Sequence, residues 1–351
     1  MNDKNNTDAI HIALSVYDPR GTYSRHAGVV MASIFENTKS PVCVHILHDE
    51  TLTEDNRARF IETAEPYGQR VEFHDVSPLI ERMGNEIIEM AQGRGSVGKL
   101  FRLTVQDLLP VDKVIYLDCD IVVNMDIREL WDISLENYSI AGVLDRPIHK
   151  RFSLKALRLK CMGCDRKTYI NSGVLFMNLA LIKTKYKLFQ ESIAWFQRCQ
   201  HYSDLVDQDM INSCFRGDIK IIDSQFNNCS AHLKSGFRSE LSEVSGCILH
   251  AIITLKPWET LRNSALDRLY WKAFLKTSWG RLTPDELADF MLEIAYNSET
   301  THRHTSQCYK KIFYRLWQDI FCNEIVSIIG FLLKVIRDRC GCFLRRRKAR
   351  D

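Results

Sequence analysis

Short apolar runs recur along the first half of the chain, separated by longer stretches in which apolar and polar positions mix. His11–Val16 reads as a short buried strand, and Val42–Leu47 and Val71–Asp75 read as further strands. Between them, Ser24–Glu36, which carries small residues, and Asp55–Tyr67 read as helices. Strand and helix alternate, so the expected fold class is α/β with a mostly parallel, doubly wound sheet. Val97–Leu109 predicts a helix stopped by Pro110, after which Val114–Leu117 returns to the sheet. Ile140–Leu144 and Gly173–Met177 predict more strands, and Leu188–His201 and Gln208–Phe215 more helices. With no internal repeat and no low-complexity linker, one α/β domain is expected to run to about Pro257, with mostly helical material beyond it.

Composition narrows this little: 45% hydrophobic and 26% charged residues are ordinary for a globular protein, and 351 residues can hold one large or two medium cores. The charge is unevenly spread. From Thr305 onward there are 11 Lys/Arg against 4 Asp/Glu, whereas the preceding 304 residues hold 36 against 40. The 12 cysteines are scattered through a chain too long to need staples, which favours reduced thiols. Cys161-x-x-Cys164 has no second pair at zinc-finger spacing and reads as structural or incidental. The start, Met1-Asn2-Asp3-Lys4-Asn5-Asn6, lacks the basic-then-apolar pattern of a leader, so a cytoplasmic setting is expected.

The candidate chemistry is densest at Val114-Ile115-Tyr116-Leu117-Asp118-Cys119-Asp120-Ile121-Val122-Val123. Apolar β-formers bracket two carboxylates, which reads as a buried strand ending in acid. In an extended segment alternate residues project to one side, so both acids would converge at the strand's C-terminal end, where open α/β sheets bind ligands. Two converging anions call for a cation, and oxygen ligands suit Mg²⁺ or Mn²⁺ shared with phosphate oxygens. Two other readings of so short a motif stand beside it: acids that cap a strand, and the nucleophilic Asp of a haloacid-dehalogenase-type phosphatase.

Three further blocks accompany it: Tyr169-Ile170-Asn171-Ser172-Gly173-Val174-Leu175-Phe176-Met177-Asn178-Leu179, Asp207-Gln208-Asp209-Met210-Ile211-Asn212, and His250 followed six residues later by Lys256-Pro257-Trp258. In order and spacing, over roughly residues 10–260, the four blocks resemble the family-8 retaining glycosyltransferases of the GT-A fold, especially bacterial lipopolysaccharide sugar transferases. None of the other three belongs to the phosphatase pattern. The resemblance implies residues 1–260 as a GT-A domain; beyond it a helical extension over 261–304 and a basic amphipathic membrane-associating tail over 305–351 are expected. It also implies transfer of glucose or galactose from a UDP-sugar to a glycan or glycolipid acceptor such as lipopolysaccharide core, with retention at the anomeric carbon. The rival reading is a non-catalytic protein of the same fold that binds nucleotide-sugars.

The same resemblance assigns residues. Asp118, Asp120 and His250 are implied as ligands of Mn²⁺ (or Mg²⁺), and Lys256 as a contact to the donor diphosphate. Ser15, Tyr23, Arg102 and Cys119 are implied to line the nucleotide-sugar site, with Tyr23 stacking on the base and Arg102 reaching sugar and phosphate. Tyr17 and Asp18 are further candidates for base or ribose contacts, because the Tyr17–Tyr23 stretch departs from the family's Asp-Asp-Asn-Tyr-like turn. Asn171, Asp207 and Gln208 are implied to surround the reacting carbon, the Gln208 amide oxygen nearest to it, and Asp145 to approach the acceptor hydroxyl. A second departure is Ile253, which stands where similar proteins commonly carry a glycine three residues after the metal histidine.

The tail has its own pattern. Ile312, Phe313, Leu316, Trp317, Ile320, Phe321, Ile325, Ile328, Ile329, Leu332, Leu333 and Ile336 fall at three- and four-residue steps, one helical stripe. Its most apolar segment, Ile325–Ile336, is too short for the ~20 residues of a membrane span. Arg345-Arg346-Arg347-Lys348 follows, which predicts a helix lying on an anionic membrane surface, peripheral at the inner face of the cell membrane; the other reading is a stripe packed on the protein's own core with the Arg run solvated. No nucleic-acid module accompanies the basic run, and no nucleic-acid partner is expected.

Overall fold

Two long parallel strands start the fold, β1 (Ile10–Val16) beside β2 (Val42–His48), in register from Ile10 opposite Val42 to Val16 opposite His48. Every residue of β2 is buried, as a strand covered by helices on both faces must be. β3 (Arg70–Asp75) adds to β2 in parallel, and β4 (Lys113–Leu117) adds to the other side of β1 in parallel. Four short strands complete the set in chain order: β5 (Ile121–Asn124), β6 (Ile140–Gly142), β7 (Val174–Asn178) and β8 (Ile219–Ile221). The last strand, β9 (Cys247–His250), pairs with β5. Among the described residues the main sheet runs β3-β2-β1-β4-β7-β6-β8, and β5 and β9 form a separate two-stranded sheet. β7 alone in the main sheet runs antiparallel to its neighbours. The expected α/β class and mostly parallel sheet are both present.

This computed structural model describes residues 9–145, 154–199, 201–203, 205–229, 244–252, 256–259, 264–292 and 294. The chain divides into two compact units, Met1–Asp289 and Phe290–Asp351. The amphipathic basic tail and Ile253 lie outside the described residues. Among the described residues no helix is long and apolar enough to cross a membrane.

The predicted elements are present with shifted edges. The helix read over Ser24–Glu36 is α1 (Ser24–Asn37), and the one read over Asp55–Tyr67 is α2 (Glu54–Ala64) followed by a 3₁₀ turn, Glu65–Tyr67, with Pro66 at its start. Val97–Leu109 is a correction: Val97–Thr104 is 3₁₀ and only Val105–Leu108 is α-helical, so Arg102 projects from a tighter turn than expected. Ser96 caps this segment by accepting from the Gly98 N–H, and the chain closes through i→i+3 bonds. The helix Ala265–Phe274 packs on α1 through Tyr270, whose hydroxyl lies 2.6 Å from His26 Nδ1. Trp258 stacks on the same His26 ring at 3.8 Å, which ties the Lys256-Pro257-Trp258 segment to α1.

Candidate active site

Asp118, Cys119 and Asp120 form the turn that hands the chain from the main sheet to the small one, since β4 ends at Leu117 and β5 begins at Ile121. The extended geometry expected there is therefore corrected: the carboxylates converge through a turn, not through strand alternation. The reason lies in the hydrogen bonds at each end. Asp118 N–H donates to Gly173 O at 2.8 Å, the last link to the β7 side, and Ala251 N–H donates to Asp120 O at 2.9 Å, the first link to the β9 side. The β5–β9 register sets Ile121 opposite His250. A histidine far along the chain is thereby brought against both acids, and ligand atoms of Asp118, Asp120 and His250 all lie within 4.8 Å of one another.

His250 Nε2 is 3.0 Å from Asp120 Oδ1 and 3.9 Å from Asp118 Oδ2. Its other nitrogen, Nδ1, faces Asn227 Oδ1 at 3.0 Å, and Asn227 Nδ2 donates to Asn171 Oδ1 at 2.9 Å. A histidine held through one ring nitrogen by an oxygen acceptor presents the other to a metal, the usual outer-shell arrangement of such ligands. Burial disfavours charge on His250, yet the Asp120 carboxylate pushes its pKa up to about 10. Burial likewise opposes ionisation of Asp120, but His250 and Lys256 hold its carboxyl below the usual carboxylate range. The field that draws a proton to Nε2 would equally draw a metal cation.

Three observations test the fit of a divalent cation. Asp120 Oδ1 is a buried carboxylate oxygen 3.0 Å from His250 Nε2, and a carboxylate oxygen has a second lone pair to offer a cation. The donor set of two carboxylates and one imidazole suits Mn²⁺ and Mg²⁺ chemistry. Gly173 leaves the cradle open: a Cβ there would meet His250 Nδ1 at 2.8 Å and Asp118 Oδ2 at 2.9 Å, and His250 Cε1 closer still. The residues fit the group.

Arg102 organises the other side. Its Nη2 donates to Asp118 Oδ1 at 2.6 Å, its Nη1 to Ser172 O at 2.6 Å, and its Nε lies 3.2 Å from Asp207 Oδ2. The guanidinium also covers the Tyr116 ring at 4.4 Å. Burial works against its charge, but Asp118 and Asp207 outweigh that and keep it protonated. Asp207 is raised by burial, with Arg102 opposing. The pair is thus a buried fork that fixes Asp118, and removing Arg102 would leave two carboxylates uncompensated, a loss of about 3–5 kcal/mol for a buried pair.

Gln208 sits on the first turn of the helix Asp207–Cys214. Its Oε1 accepts from Ser172 N–H at 3.0 Å, and its Nε2 donates to Asp145 Oδ2 at 2.9 Å. The Ser172 hydroxyl lies 3.2 Å from Asp207 Oδ2 and 3.5 Å from Gln208 Oε1, so when it donates to Asp207 one lone pair of the amide oxygen is left for the cleft. Asn212, one turn on, clamps the Ile170 backbone by accepting from its N–H at 2.7 Å and donating to its carbonyl at 2.8 Å. Tyr169 donates to Asp209 Oδ1 at 2.5 Å, so burial and that carboxylate push its phenol well above its ordinary value.

At the opposite end, Tyr23 is 37% exposed and meets His26 edge-on. Ser15 Oγ accepts from Tyr116 OH at 3.0 Å, and Cys119 Sγ donates to Ser15 O at 3.2 Å. Asp18 is corrected. Buried to 1% exposure, its carboxylate accepts from Tyr23 N–H, Ser24 N–H, Ser24 Oγ and Asn56 Nδ2. Those bonds use its acceptor capacity to cap α1, so Asp18 shapes the loop and leaves Tyr17 facing the cleft.

Ser15, Tyr23, Arg102, Asp118, Cys119, Asp120, Asn171, Asp207, Gln208, His250 and Lys256 all line one cleft of about 460 Å³. Asp145 does not; it stands behind Gln208 as the acceptor of its amide. Lys256 Nζ lies 2.6 Å from Asp120 Oδ2 and also donates to Ala251 O. Sequence reasoning missed Asn227, Ser172, Gly173 and Lys99, of which the last three also line the cleft. Ser172 and Gly173 lie inside a quoted block, whereas nothing local marks Asn227 or Lys99.

A sequence model described as Glycosyl transferase family 8 matches residues 15–262. A putative glycosyltransferase of Haemophilus influenzae is 28% identical over 207 residues, 58% of this chain and 60% of that protein, so the chain spans less than two thirds of that relative. A lipopolysaccharide 1,3-galactosyltransferase of Salmonella typhimurium is 23% identical over 264 residues, 72% of this chain and 74% of that one. The crystal structure of the galactosyltransferase LgtC in complex with donor and acceptor sugar analogues superposes with a TM-score of 0.64 at 21% identity, covering 80% of this chain and 100% of that one. That likeness gives the fold, of GT-A type. The family match runs from the end of β1 through Lys256 and so takes in every cleft residue named above: the chain belongs to glycosyltransferase family 8.

Proposed function

We propose that this glycosyltransferase moves a hexose, glucose or galactose, from a UDP-sugar to a glycan or glycolipid acceptor such as lipopolysaccharide core, with retention and with Mn²⁺ or Mg²⁺ as cofactor. The observation that carries this reading is the junction of the two sheets, where Asp118, Asp120 and His250 converge beside Lys256 at the floor of the cleft. The two lipopolysaccharide hexosyltransferases among its relatives, galactosyl in Salmonella typhimurium and glucosyl in Escherichia coli, support the substrate class.

Asp118, Asp120 and His250 would hold the cation, which when bound supplies Lewis-acid stabilisation of the departing diphosphate. Lys256 adds a point charge to the same oxygens. Arg102 holds Asp118 in place, and Asn227 keeps His250 turned to the site. Tyr23 offers a ring to the base, and Asn171 offers an amide to sugar hydroxyls. Retention by double displacement needs a nucleophilic carboxylate at the reacting carbon. Asp207 is tied to Arg102 and Ser172, and Gln208 is an amide. A front-face substitution follows: the acceptor oxygen bonds to C1 on the side from which the UDP oxygen departs. The acceptor proton passes to that departing phosphate oxygen.

Gln208→Ala is expected to lower transfer about 10-fold or more while leaving UDP affinity within about twofold, because the side chain faces the sugar end of the cleft. Turnover assays and calorimetry with UDP and Mn²⁺ check the split. A UDP affinity loss as large as that of an Asp118 variant contradicts the assignment.

The basic tail would dock the enzyme on an anionic membrane, at the inner face of the cell membrane, near a lipid-borne acceptor. Each basic residue near such a surface contributes about 1 kcal/mol. Replacing Arg345, Arg346, Arg347 and Lys348 with Gln should therefore weaken binding to anionic vesicles by about 10²–10³-fold, as read by vesicle sedimentation. Unchanged binding, or binding by neither protein, contradicts it.

A further inference from the structure

Away from the cleft, β1, β2 and the edge strand β3 carry a second cluster of ligating groups on one sheet face. His45 on β2 stands directly opposite Glu72 on β3, and His74 lies two residues further along β3, so all three project to the same side. His45 Nδ1 is 3.0 Å from His74 Nε2 and 3.4 Å from Glu72 Oε2, and the last two atoms are 3.9 Å apart. A tetrahedral ion with bonds of 2.0–2.2 Å needs ligand atoms about 3.3–3.6 Å apart. The three observed separations bracket that range.

We propose that His45 Nδ1, His74 Nε2 and Glu72 Oε2 form a second metal site, of two imidazoles and one carboxylate, suited to Zn²⁺ and clipping the edge strand β3 to β2. None of the three lines the cleft, so the site stands whether or not the reading of the cleft does. Imidazole nitrogen and carboxylate oxygen are zinc ligands, and three protein ligands leave a fourth position for water. The outer shell is present too. His45 turns its remaining nitrogen, Nε2, to His11 Nδ1 at 2.9 Å, which fixes the ring so that Nδ1 faces Glu72 and His74. Ring nitrogens this close cannot both carry a proton, and burial lowers His11, His45 and His74, which favours their neutral forms. A neutral imidazole is the form that binds metal. Glu72, with 43% of its side chain exposed, and His74, with 15%, give an ion a path from solvent to the buried His45.

The cluster has a second, less suitable end. His11, Cys43 and His45 also lie within 4.8 Å of one another. Burial, and after it the Glu72 carboxylate, pushes the Cys43 thiol up to about 12, so this end offers a protonated thiol, a poor ligand, and Arg70, opposite Cys43 on β3, adds a positive charge. The carboxylate that compensates a cation is at the Glu72 end.

The test is Zn²⁺ titration of the full chain, with the cleft first saturated with Mn²⁺ and UDP, by calorimetry and by Co²⁺ absorption. The expected result is one equivalent of Co²⁺ with the intense visible bands of four-coordinate Co²⁺, lost when one equivalent of Zn²⁺ displaces it, and a melting temperature raised by Zn²⁺. Glu72→Gln and His74→Gln should each weaken Zn²⁺ at least about 10-fold, the lower end of what loss of even an outer-shell partner costs. Mn²⁺-dependent UDP binding should not change in either variant. Both residues are partly exposed, so the metal-free melting temperature should stay close to that of the parent chain. If the parent takes up no Zn²⁺ under these conditions, or if both variants bind it as tightly as the parent, the cluster is a hydrogen-bonded histidine chain and the proposal is overturned.

Discussion

Asp120→Asn is expected to cut sugar transfer by about 10²–10³-fold or more, the scale seen when a group that stabilises transition-state charge is removed. The amide keeps the shape of the carboxylate and loses its charge. Asp120 lies against both His250 Nε2 and Lys256 Nζ, so one change removes a proposed metal ligand and the counter-ion of the lysine. His250 should then shed its proton more easily, because the Asp120 carboxylate is what raises it. Asp118→Asn should act in the same direction, although Arg102 retains Asp207 as a partner. Calorimetry of UDP with Mn²⁺ separates the causes: the metal-dependent part of UDP binding should disappear while the melting curve stays cooperative. Unchanged turnover in both variants contradicts the site.

Gly173→Ala should be nearly as damaging without touching a charge. The added Cβ would meet the His250 ring and Asp118 Oδ2 at once. Gly173 cannot back away freely, because its carbonyl accepts the Asp118 N–H at 2.8 Å. Neither neighbour yields cheaply, since His250 is held by Asn227 and Asp118 by Arg102. Metal affinity and transfer are expected to fall about 100-fold, with UDP affinity in the absence of metal little changed. Mn²⁺ titrations in the presence of UDP read this directly, and an alanine variant with parental Mn²⁺ affinity would show that the cradle is not the metal site.

The long parallel strands were legible because their apolar runs are continuous, as burial on both faces demands. β5 and β9 were not. Each has four residues, too few to display a period, and each exists because of the other across more than a hundred residues of chain. The extended reading gives the wrong local reason for the convergence of the acids, because the hydrogen bonds that flank the turn, Asp118 N–H to Gly173 O and Ala251 N–H to Asp120 O, involve residues that no pattern near Asp118 reveals. His250 entered through the resemblance, since a lone histidine after a short apolar run carries no signal of its own. Asp18 shows the opposite limit: an acid beside a predicted helix start is as good a cap as a ligand contact, and the count of its donors decides. The histidines of β1 to β3 passed unnoticed because their meeting depends on strand order.

The most direct measurement is UDP release from UDP-glucose and UDP-galactose by the parent protein with Mn²⁺, before and after a chelator. Slow release that stops on chelation and resumes when Mn²⁺ is restored, for one of the two donors, is the predicted result. Release that ignores the chelator, or neither turnover nor metal-dependent binding of any UDP-hexose, would contradict a metal–diphosphate site at Asp118, Asp120 and His250.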